Sequence, residues 1–169
     1  MSIAGIVQPD ILPVDSELRL RKYDGNCDFA YDWYQDIETV WMIDGVKERY
    51  DRDKLERMYR YLDEHGELYW IEASQPAKGG EQNAWLPIGD VTFWQEDMPI
   101  VVGDLRYRGR GVGTKVGKVL IERGKSLGYT WLMIGEIYEY NTVSRKMFTN
   151  LGFFPYQKTE NGSSYRLEL

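Results

Sequence analysis

Apolar and polar positions alternate along this chain with two different periods, and each change of period predicts where a strand or a helix lies. Period-two alternation and short β-branched runs indicate about seven strands, and apolar stripes at helical spacing indicate about four helices. The predicted strands are 17–23, 67–73, 85–94, 99–103, 130–137, 153–158 and 164–169. The predicted helices are 28–36 with an irregular extension to 41, 53–65, 112–127 and 142–151. The pattern therefore gives the order β-α-α-β-β-β-α-β-α-β-β.

This order predicts one α/β or α+β domain with a single mixed, twisted sheet. No tract in the 169 residues is long enough to separate two domains. We distinguish an N-terminal arm (1–16), a first region (17–75) and a second region (85–169), with a loop around 78–80 between the two regions. Asp53 and Glu56 have the spacing of a capping box. Asn161-Gly162 predicts a hairpin between the last two strands.

Composition excludes several kinds of site. Cys27 is the only cysteine and His65 the only histidine. An intramolecular disulfide, a Cys/His zinc cluster and a Ser-His or Cys-His pair with a separate structural histidine are therefore excluded. We expect no metal and, by default, a reduced cytoplasmic protein. No stretch approaches the ~20 apolar residues of a membrane span, and the first residues lack the basic and apolar segments of a secretory signal.

Charge is distributed unevenly along the chain, whose net charge is −6. This total argues against nucleic-acid binding, because such binding needs a basic face to neutralise phosphates. Residues 28–72 contain 13 acids and 6 bases, whereas 104–128 contain 7 bases and 2 acids. The acidic part is either an ordinary solvated surface or a surface for a cationic partner. The basic part coincides with a glycine-rich segment.

The glycine-rich segment 106–115, RYRGRGVGTK, joins a predicted buried strand to a predicted helix. Its glycines allow a tight turn that points several N–H groups at one place, and the helix start adds a partial positive charge. Arg106, Arg108, Arg110 and Lys115 bring four cations to the same place. The segment therefore predicts a phosphate-binding loop, and a turn required only for packing is the alternative.

Two familiar phosphate-binding motifs do not fit this loop. A P-loop needs a glycine where Val112 stands and a serine or threonine where Val119 stands. A dinucleotide fingerprint that starts at Gly109 or Gly111 needs a glycine at position 114 or 116, where the chain has threonine and valine.

A third motif does fit. The segment 108–113, RGRGVG, resembles the Q/R-x-x-G-x-G/A pyrophosphate motif of the GNAT superfamily of acetyl-CoA-dependent N-acetyltransferases. Downstream, NTVS at 141–144 with LGF at 151–153 is similar to the N-x-x-A/S…Y-x-x-x-G-F segment of the same superfamily. The resemblance covers about 91–156. It implies a twisted sheet whose fourth and fifth strands splay apart into a wedge for the cofactor.

The resemblance also implies which residues hold acetyl-CoA. In that fold the pantetheine arm pairs with the fourth strand, here 99–103, and the pyrophosphate lies on the amides of the glycine loop. Region 17–75 becomes the acceptor side and region 85–169 the acetyl-CoA-binding core. The implied cofactor contacts are Val101, Val102, Gly103, Arg108, Gly109, Arg110, Gly111, Val112, Gly113, Thr114, Asn141 and Ser144. For Asn141 a plain helix cap is the simpler interpretation.

The implied chemistry is attack of an amine on a thioester, which needs a proton acceptor, an oxyanion stabiliser and a proton donor for the thiolate. Glu136 is the implied general base or amine-orienting anion. Asp104 is a second carboxylate near the wedge, with capping as its alternative. The tyrosine that often protonates the thiolate in this superfamily corresponds to Phe148 here. Tyr138 and Tyr140 share the parity of Glu136 along the strand and are the candidate replacements, with packing or a solvent proton as alternatives.

The acidic region mixes carboxylates with aromatic rings, which suits a cationic amine. Its candidate acceptor contacts are Trp33, Tyr34, Asp36 and Trp41, and an ordinary aromatic core is the alternative. The superfamily resemblance implies direct acetyl transfer to a primary amine of a small cationic molecule or a peptide, and aminoglycoside 6′-N-acetylation is the alternative. This region is similar to both ribosomal-protein N-terminal acetyltransferases and aminoglycoside 6′-N-acetyltransferases, and neither similarity names a substrate. A non-catalytic acetyl-CoA-binding module, a protein-interaction domain and a homodimer through the closing hairpin stay open.

Overall fold

Eight strands form two antiparallel sheets in the computed structural model, which describes residues 3–79 and 82–169. The strands are β1 Ile11–Pro13, β2 Leu18–Lys22, β3 Glu67–Gln75, β4 Ala84–Phe93, β5 Ile100–Val102, β6 Trp131–Tyr138, β7 Phe154–Lys158 and β8 Gly162–Glu168. Their order is β1-β2-β3-β4-β5 in the large sheet and β6-β8-β7 in the small sheet. The α/β class is confirmed, although hydrogen bonding divides the predicted single sheet in two. The start of the predicted arm, and Gly80 in the predicted loop, lie outside the described residues.

Four α-helices and two 3₁₀-helices connect these strands in the described part of the chain. They are a 3₁₀-helix at Asp28–Gln35, α1 Ile37–Asp44, α2 Arg52–His65, a 3₁₀-helix at Leu105–Tyr107, α3 Val112–Ser126 and α4 Thr142–Asn150. The predicted capping box is wrong. Asp51 caps α2 by accepting from the amide of Lys54 at 2.8 Å, and Asp53 instead pairs with Arg57 at 2.9 Å. None of the helices described here is long and apolar enough to cross a membrane.

Helices cover both faces of the large sheet, and β3 shows how its sequence permits this. Leu68 and Trp70 pack against the first 3₁₀-helix, α1 and α2. Tyr69 and Ile71, which alternate with them, pack into a second core with α3, α4 and the small sheet. All four side chains are fully buried. A strand that is apolar at successive positions can be buried on both faces. The first 3₁₀-helix, α1 and α2 therefore lie on one face of the large sheet, and α3 and α4 lie on the other.

The two sheets meet at the tip of the β4–β5 hairpin and separate beyond it. At the tip, the amide of Met133 in β6 donates to the carbonyl of Gln95 at 2.9 Å. The amide of Gly135 donates to the carboxylate of Asp97 at 3.0 Å. Further along, β5 and β6 share no ladder within the described ranges. The wedge between them is therefore closed at the hairpin tip and open at the C-terminal ends of both strands.

The predicted closing hairpin is confirmed, but its glycine serves another purpose. Residues 159–161 join β7 to β8, and Gly162 already belongs to β8, where it pairs with Tyr138. A Cβ atom on Gly162 would lie 1.9 Å from the carbonyl oxygen of Ile137 in β6. Glycine is therefore required for the close approach of β8 to β6 rather than for a left-handed turn.

Candidate active site

The glycine loop forms a concave site for an anion at the start of α3. Gly109 and Gly111 have φ angles of 72° and 76°, in the left-handed region that glycine adopts without strain. Within the described residues no hydrogen bond uses the amides of 109–114, and α3 has no side-chain cap. Consecutive free N–H groups at a helix N-terminus are a binding site for phosphate.

Packing explains one glycine of the motif and not the other two. A Cβ atom on Gly113 would lie 2.5 Å from the sulfur of Met147, so this glycine lets α4 approach α3. Cβ atoms on Gly109 and Gly111 would meet nothing within 4 Å. The space above these two residues is open, and their positive φ angles are the only reason that the fold itself gives for glycine there.

The cations predicted around the loop are mostly committed to other partners. Arg106 forms a two-point ion pair with Asp104, at 3.0 and 2.7 Å, and Lys115 pairs with Asp15 at 2.9 Å. Among the described residues Arg110 makes no ion pair. Free backbone amides, Arg110 and Arg108, whose hydrogen-bond partners are uncharged, therefore supply the positive potential of the loop.

The structure gives Asp104 the capping role that was its alternative, and its catalytic role stays a prediction. Its side chain accepts hydrogen bonds from both the amide and the guanidinium of Arg106, which fixes the start of the 3₁₀-helix Leu105–Tyr107. The hydrogen bonds from Arg106 lower the pKa of the Asp104 carboxyl. A carboxylate whose pKa is lowered is a weaker general base than an ordinary aspartate.

Arg108 connects the glycine loop to β5 and to α1. Its Nε donates to the carbonyl oxygen of Val102 at 2.8 Å, and its Nη2 donates to the hydroxyl of Thr39 at 2.7 Å. Sequence reasoning assigned Arg108 to the pyrophosphate alone and missed Thr39, because nothing in the pattern distinguishes this threonine from any other residue of a short helix.

The short strand predicted to hold the pantetheine arm has one edge toward the wedge. Val101 is buried and Val102 is half-buried, and both pair with β4 on the other edge. Gly103 follows them, and a Cβ atom there would lie 2.3 Å from the indole ring of Trp33. Trp33 therefore packs directly on the backbone at the end of β5, next to the predicted cofactor strand.

Glu136 lies on a bulge near the end of β6. The register with β8 shifts between Ile134 and Ile137, which leaves Gly135 and Glu136 in an irregular segment. The half-buried Glu136 side chain accepts from the amide of Asn161 in the β7–β8 turn at 3.1 Å. Its other carboxylate oxygen makes no hydrogen bond to the described residues and is available to a ligand.

Three aromatic rings stack beyond Glu136. Tyr138 stacks on Tyr140 with ring centres 5.4 Å apart, and Tyr140 stacks on Trp41 of α1 at 4.4 Å. The Tyr140 hydroxyl donates to the carbonyl of Trp41, whereas the Tyr138 hydroxyl has no partner among the residues described. Burial raises the pKa of both phenols, and Glu136 adds to the rise at Tyr138. Both phenols are therefore protonated at neutral pH. The Tyr138 hydroxyl, unlike that of Tyr140, is free to donate its proton to a ligand.

The cap interpretation of Asn141 is correct, and its contact with the cofactor stays a prediction. The Asn141 side chain accepts from the amide of Ser144 at 3.1 Å and donates to the carbonyl of Met42 at 3.4 Å. Phe148, on the same helix, is buried with its ring centre 5.4 Å from that of Phe153. The position where the superfamily often has a tyrosine is thus part of the core in this chain.

Two of the four predicted acceptor contacts have internal roles. Tyr34 is 1% exposed, so its prediction as a wall of the acceptor site is wrong. Its hydroxyl donates to the carboxylate of Asp90 at 3.1 Å, and Tyr59 donates to the same oxygen at 2.8 Å. Asp36 caps α1 by accepting from the amide of Thr39 at 3.2 Å. Sequence reasoning missed Asp90, although a lone carboxylate inside an apolar strand is a recognisable signal.

Asp90→Asn is expected to change how stability depends on pH. Burial raises the pKa of Asp90 from 3.8 to about 6, and hydrogen bonds from Tyr59 and Tyr34 oppose the rise. Between these values the folded protein keeps a proton that the unfolded chain has lost. Asp90 therefore stabilises the fold fully below pH 3.8, and this contribution is lost as the pH rises through about 6.

The wild type should therefore lose stability relative to Asp90→Asn as the pH rises. We expect the difference between their unfolding free energies to change by about 2 kcal/mol between pH 4.5 and 7.5, at ~1.4 kcal/mol per pKa unit. Denaturant unfolding of both proteins at stepped pH measures this difference. Asparagine keeps an oxygen that can accept from both tyrosines, so the comparison isolates the charge. A difference that does not vary with pH would contradict the prediction.

Comparisons with known proteins agree with this geometry. A model of the Acetyltransferase (GNAT) family matches residues 28–153. The fold matches the crystal structure of a domain from Methanocaldococcus jannaschii DSM 2661, with TM-score 0.74 and 20% identity over 92% of this chain and 100% of that chain. A comparison with curated proteins finds no match.

Two further solved structures with the same fold have coenzyme A bound. One is RimL, a ribosomal L7/L12 alpha-N-protein acetyltransferase, with TM-score 0.67 and 14% identity over 94% of this chain and 98% of that chain. The other is the aminoglycoside acetyltransferase AAC(6′)-Ib, with TM-score 0.66 and 15% identity over 89% of this chain and 94% of that chain. The family match contains both the glycine loop and the wedge. The chain belongs to the GNAT family of acetyltransferases.

Proposed function

We propose that this acetyltransferase moves the acetyl group of acetyl-CoA directly to a primary amine of a small cationic molecule or peptide. The observation that carries the proposal is the row of free amides at 109–114, which lies beside the open wedge. Such amides suit a pyrophosphate, and the unpaired edge of β5 suits an extended arm that contains amide groups, as pantetheine does.

The residues present fit acetyl-CoA, which would supply the activated acyl group as co-substrate. The open space above Gly109 and Gly111 leaves room for phosphate oxygens. Arg110 adds a positive charge there. The Val101 carbonyl faces β4, so on the wedge edge the amide of Val102 can pair with the pantetheine arm while the Val102 carbonyl keeps its hydrogen bond from Arg108.

Glu136 has a carboxylate oxygen that is not used by the described residues, which suits it to accept a proton from the amine. A lysine-like amine has a pKa near 10.4, so only about one molecule in a thousand is neutral at pH 7. We assign this proton to Glu136, whose carboxylate is held by the Asn161 amide at one oxygen. The amine nitrogen then forms a bond to the thioester carbon, and the bond from carbon to sulfur breaks. The thiolate that leaves takes a proton from Tyr138, and the second proton that the nitrogen loses as the amide forms returns to the Tyr138 oxygen. Glu136 then releases its proton to solvent.

The surface charge favours a cationic acceptor. Residues 28–72 carry 13 acids, two of which are buried, and 6 bases. They include α1, and this helix lies next to the C-terminal end of β6. Glu136 adds a carboxylate at the same place. A protonated amine would be attracted to this surface before it loses its proton. Partly exposed Trp33 and Trp41 would provide the apolar contacts.

Tyr138→Phe is expected to lower kcat about tenfold, because the thiolate is then protonated by solvent, and a good leaving group needs only modest acid assistance. Tyr140→Phe is the matched control, because Tyr140 is the next ring in the same stack and loses the same hydroxyl group. Its hydroxyl is already donated to Trp41, so we expect a smaller change in kcat and a higher KM for the amine. Steady-state kinetics of both variants separates the two effects. Equal kcat values for the two variants would remove Tyr138 from its proposed role.

Thiol release from acetyl-CoA in the presence of different amines tests the proposed function. The panel contains aminoglycosides, polyamines, amino acids and peptides with free N-termini, and a blank accounts for the thiol of Cys27. Release that depends on one class of amine, with the acetylated product seen by mass spectrometry, would establish the activity and name the acceptor. Binding of acetyl-CoA with no release from any amine would instead favour a binding module, and absence of binding would reject both.

A further inference from the structure

We propose that α1 is a bridge across the open end of the wedge and that Thr39 is the positioning residue that fixes this bridge to the cofactor strand. The inference rests on the proposed function, because the space that the bridge covers is the space the amine must occupy. It assigns to Thr39 a role in amine binding that is separate from the binding of coenzyme A.

The first turn of α1 is attached to β5 through a single hydroxyl. Thr39 is 1% exposed, and its Oγ1 accepts from Arg108 at 2.7 Å while donating to Asp36 at 2.6 Å. Arg108 in turn donates to the carbonyl of Val102, the last residue of β5, at 2.8 Å. The hydroxyl thus connects a cation of the cofactor loop to the carboxylate that caps α1. The hydrogen bond from the Thr39 hydroxyl lowers the pKa of Asp36, and the charge of Arg108 adds to this effect, which keeps the cap charged.

The last turn of α1 is attached to the opposite side of the wedge. The hydroxyl of Tyr140 donates to the carbonyl of Trp41, and the side chain of Asn141 donates to the carbonyl of Met42 at 3.4 Å. A Cβ atom on Gly45, which follows the helix, would lie 3.3 Å from the ring of Tyr138. The C-terminal end of α1 therefore contacts the residues that end β6 and begin α4.

These two attachments span strands that are not joined to each other. Beyond the hairpin tip, β5 and β6 have no ladder in the ranges that the structure describes. The position of β5 relative to Glu136 and Tyr138 at this end is thus set through α1. If Thr39 loses its hydroxyl, the amide of residue 39 still donates to Asp36 and caps α1, but the contact between α1 and Arg108 is lost. The amine site should then loosen while the amides of the cofactor loop stay in place.

Thr39→Val removes the hydroxyl and conserves the volume of the side chain. We expect the KM of the amine to rise about tenfold, as for the loss of one hydrogen bond to a charged group. The Kd of coenzyme A, measured by calorimetry, should stay within about twofold. Thr39→Ser restores a hydroxyl and should return the KM close to that of the wild type.

Thr92→Val is the matched control. Thr92 is also fully buried, and its hydroxyl has no hydrogen-bond partner in the described structure, so the same chemical change removes no contact. Hydrogen exchange of the free proteins provides a second readout that needs no acceptor. We expect faster exchange of the α1 amides in Thr39→Val, with α2 unchanged, and no effect on α1 in Thr92→Val.

Each outcome decides the inference. An unchanged KM in Thr39→Val, a serine variant as impaired as the valine variant, or a rise in the Kd of coenzyme A equal to the rise in KM would overturn the role of Thr39. Unchanged exchange of α1 would overturn the bridge. Failure of the wild type to bind coenzyme A would instead reject the proposed function, and the exchange data would still decide whether α1 is attached as described.

Discussion

Gly111→Val should weaken the binding of coenzyme A at least about tenfold, a loss of ~1.4 kcal/mol or more. Gly111 has a φ angle of 76°, which a β-branched residue adopts only at a cost of about 1–3 kcal/mol. The backbone of the variant will turn to negative φ, and the amides of neighbouring residues will no longer converge. Because each hydrogen bond to a charged group contributes about 1.5–3 kcal/mol, one or two lost contacts are sufficient.

Gly128→Val separates this effect from a general loss of stability. Gly128 has a φ angle of 80° with nothing within 4 Å of its Cβ position, and it follows the opposite end of α3. Both variants should unfold at lower temperature by similar amounts, and only Gly111→Val should lose affinity. Calorimetric titration with coenzyme A measures this without any acceptor. If the two variants bind equally well, the amides of the loop do not hold the pyrophosphate.

Glu136→Gln should lower kcat about a hundredfold or more, within the range of 10²–10⁴ that a general base contributes. Glutamine has nearly the same shape and keeps an oxygen that can accept from the Asn161 amide, so the loop geometry is preserved. It cannot take a proton from an ammonium group. The Kd of coenzyme A should not change, because the role proposed for Glu136 is at the amine and not at the cofactor.

The control for this prediction is Glu139→Gln, three residues further along. Glu139 is exposed and pairs with Arg145 at 3.6 Å, so its substitution removes the same charge from the same region without touching the bulge of β6. The rate is measured with both substrates at saturation. A Glu136→Gln enzyme with the kcat of Glu139→Gln would show that the proton leaves the amine by another route.

The parts of the site that the sequence predicts well are those fixed by local backbone geometry. Gly109 and Gly111 are recognisable because positive φ angles require glycine at a set distance from the helix start, and the structure has both angles. Asn141 is recognisable as a cap for a similar reason, since the cap bond reaches only three residues along the chain. The change of period in the apolar pattern likewise predicts the α/β class.

The parts that sequence reasoning missed depend on contacts between distant segments. The ion pair between Lys115 and Asp15 joins residues a hundred positions apart, so spacing along the chain could not show that Lys115 is paired. Tyr34, in the first 3₁₀-helix, is buried with its hydroxyl bonded to Asp90 of β4, which lies 56 positions away. The division into two sheets depends on where the hairpin tip meets β6, which no periodicity encodes.

The separation of β5 from β6 has a consequence for the behaviour of the protein in solution. An open strand edge is a template on which a second chain can add a strand and begin to aggregate. Here the exposed edge is only three residues long, and the guanidinium of Arg108 covers its last carbonyl. Arg108 is therefore an edge-protecting residue as well as part of the cofactor loop. Variants in which Arg108 no longer binds the carbonyl of Val102 should self-associate more readily. Coenzyme A should suppress this self-association, because it occupies the same strand edge.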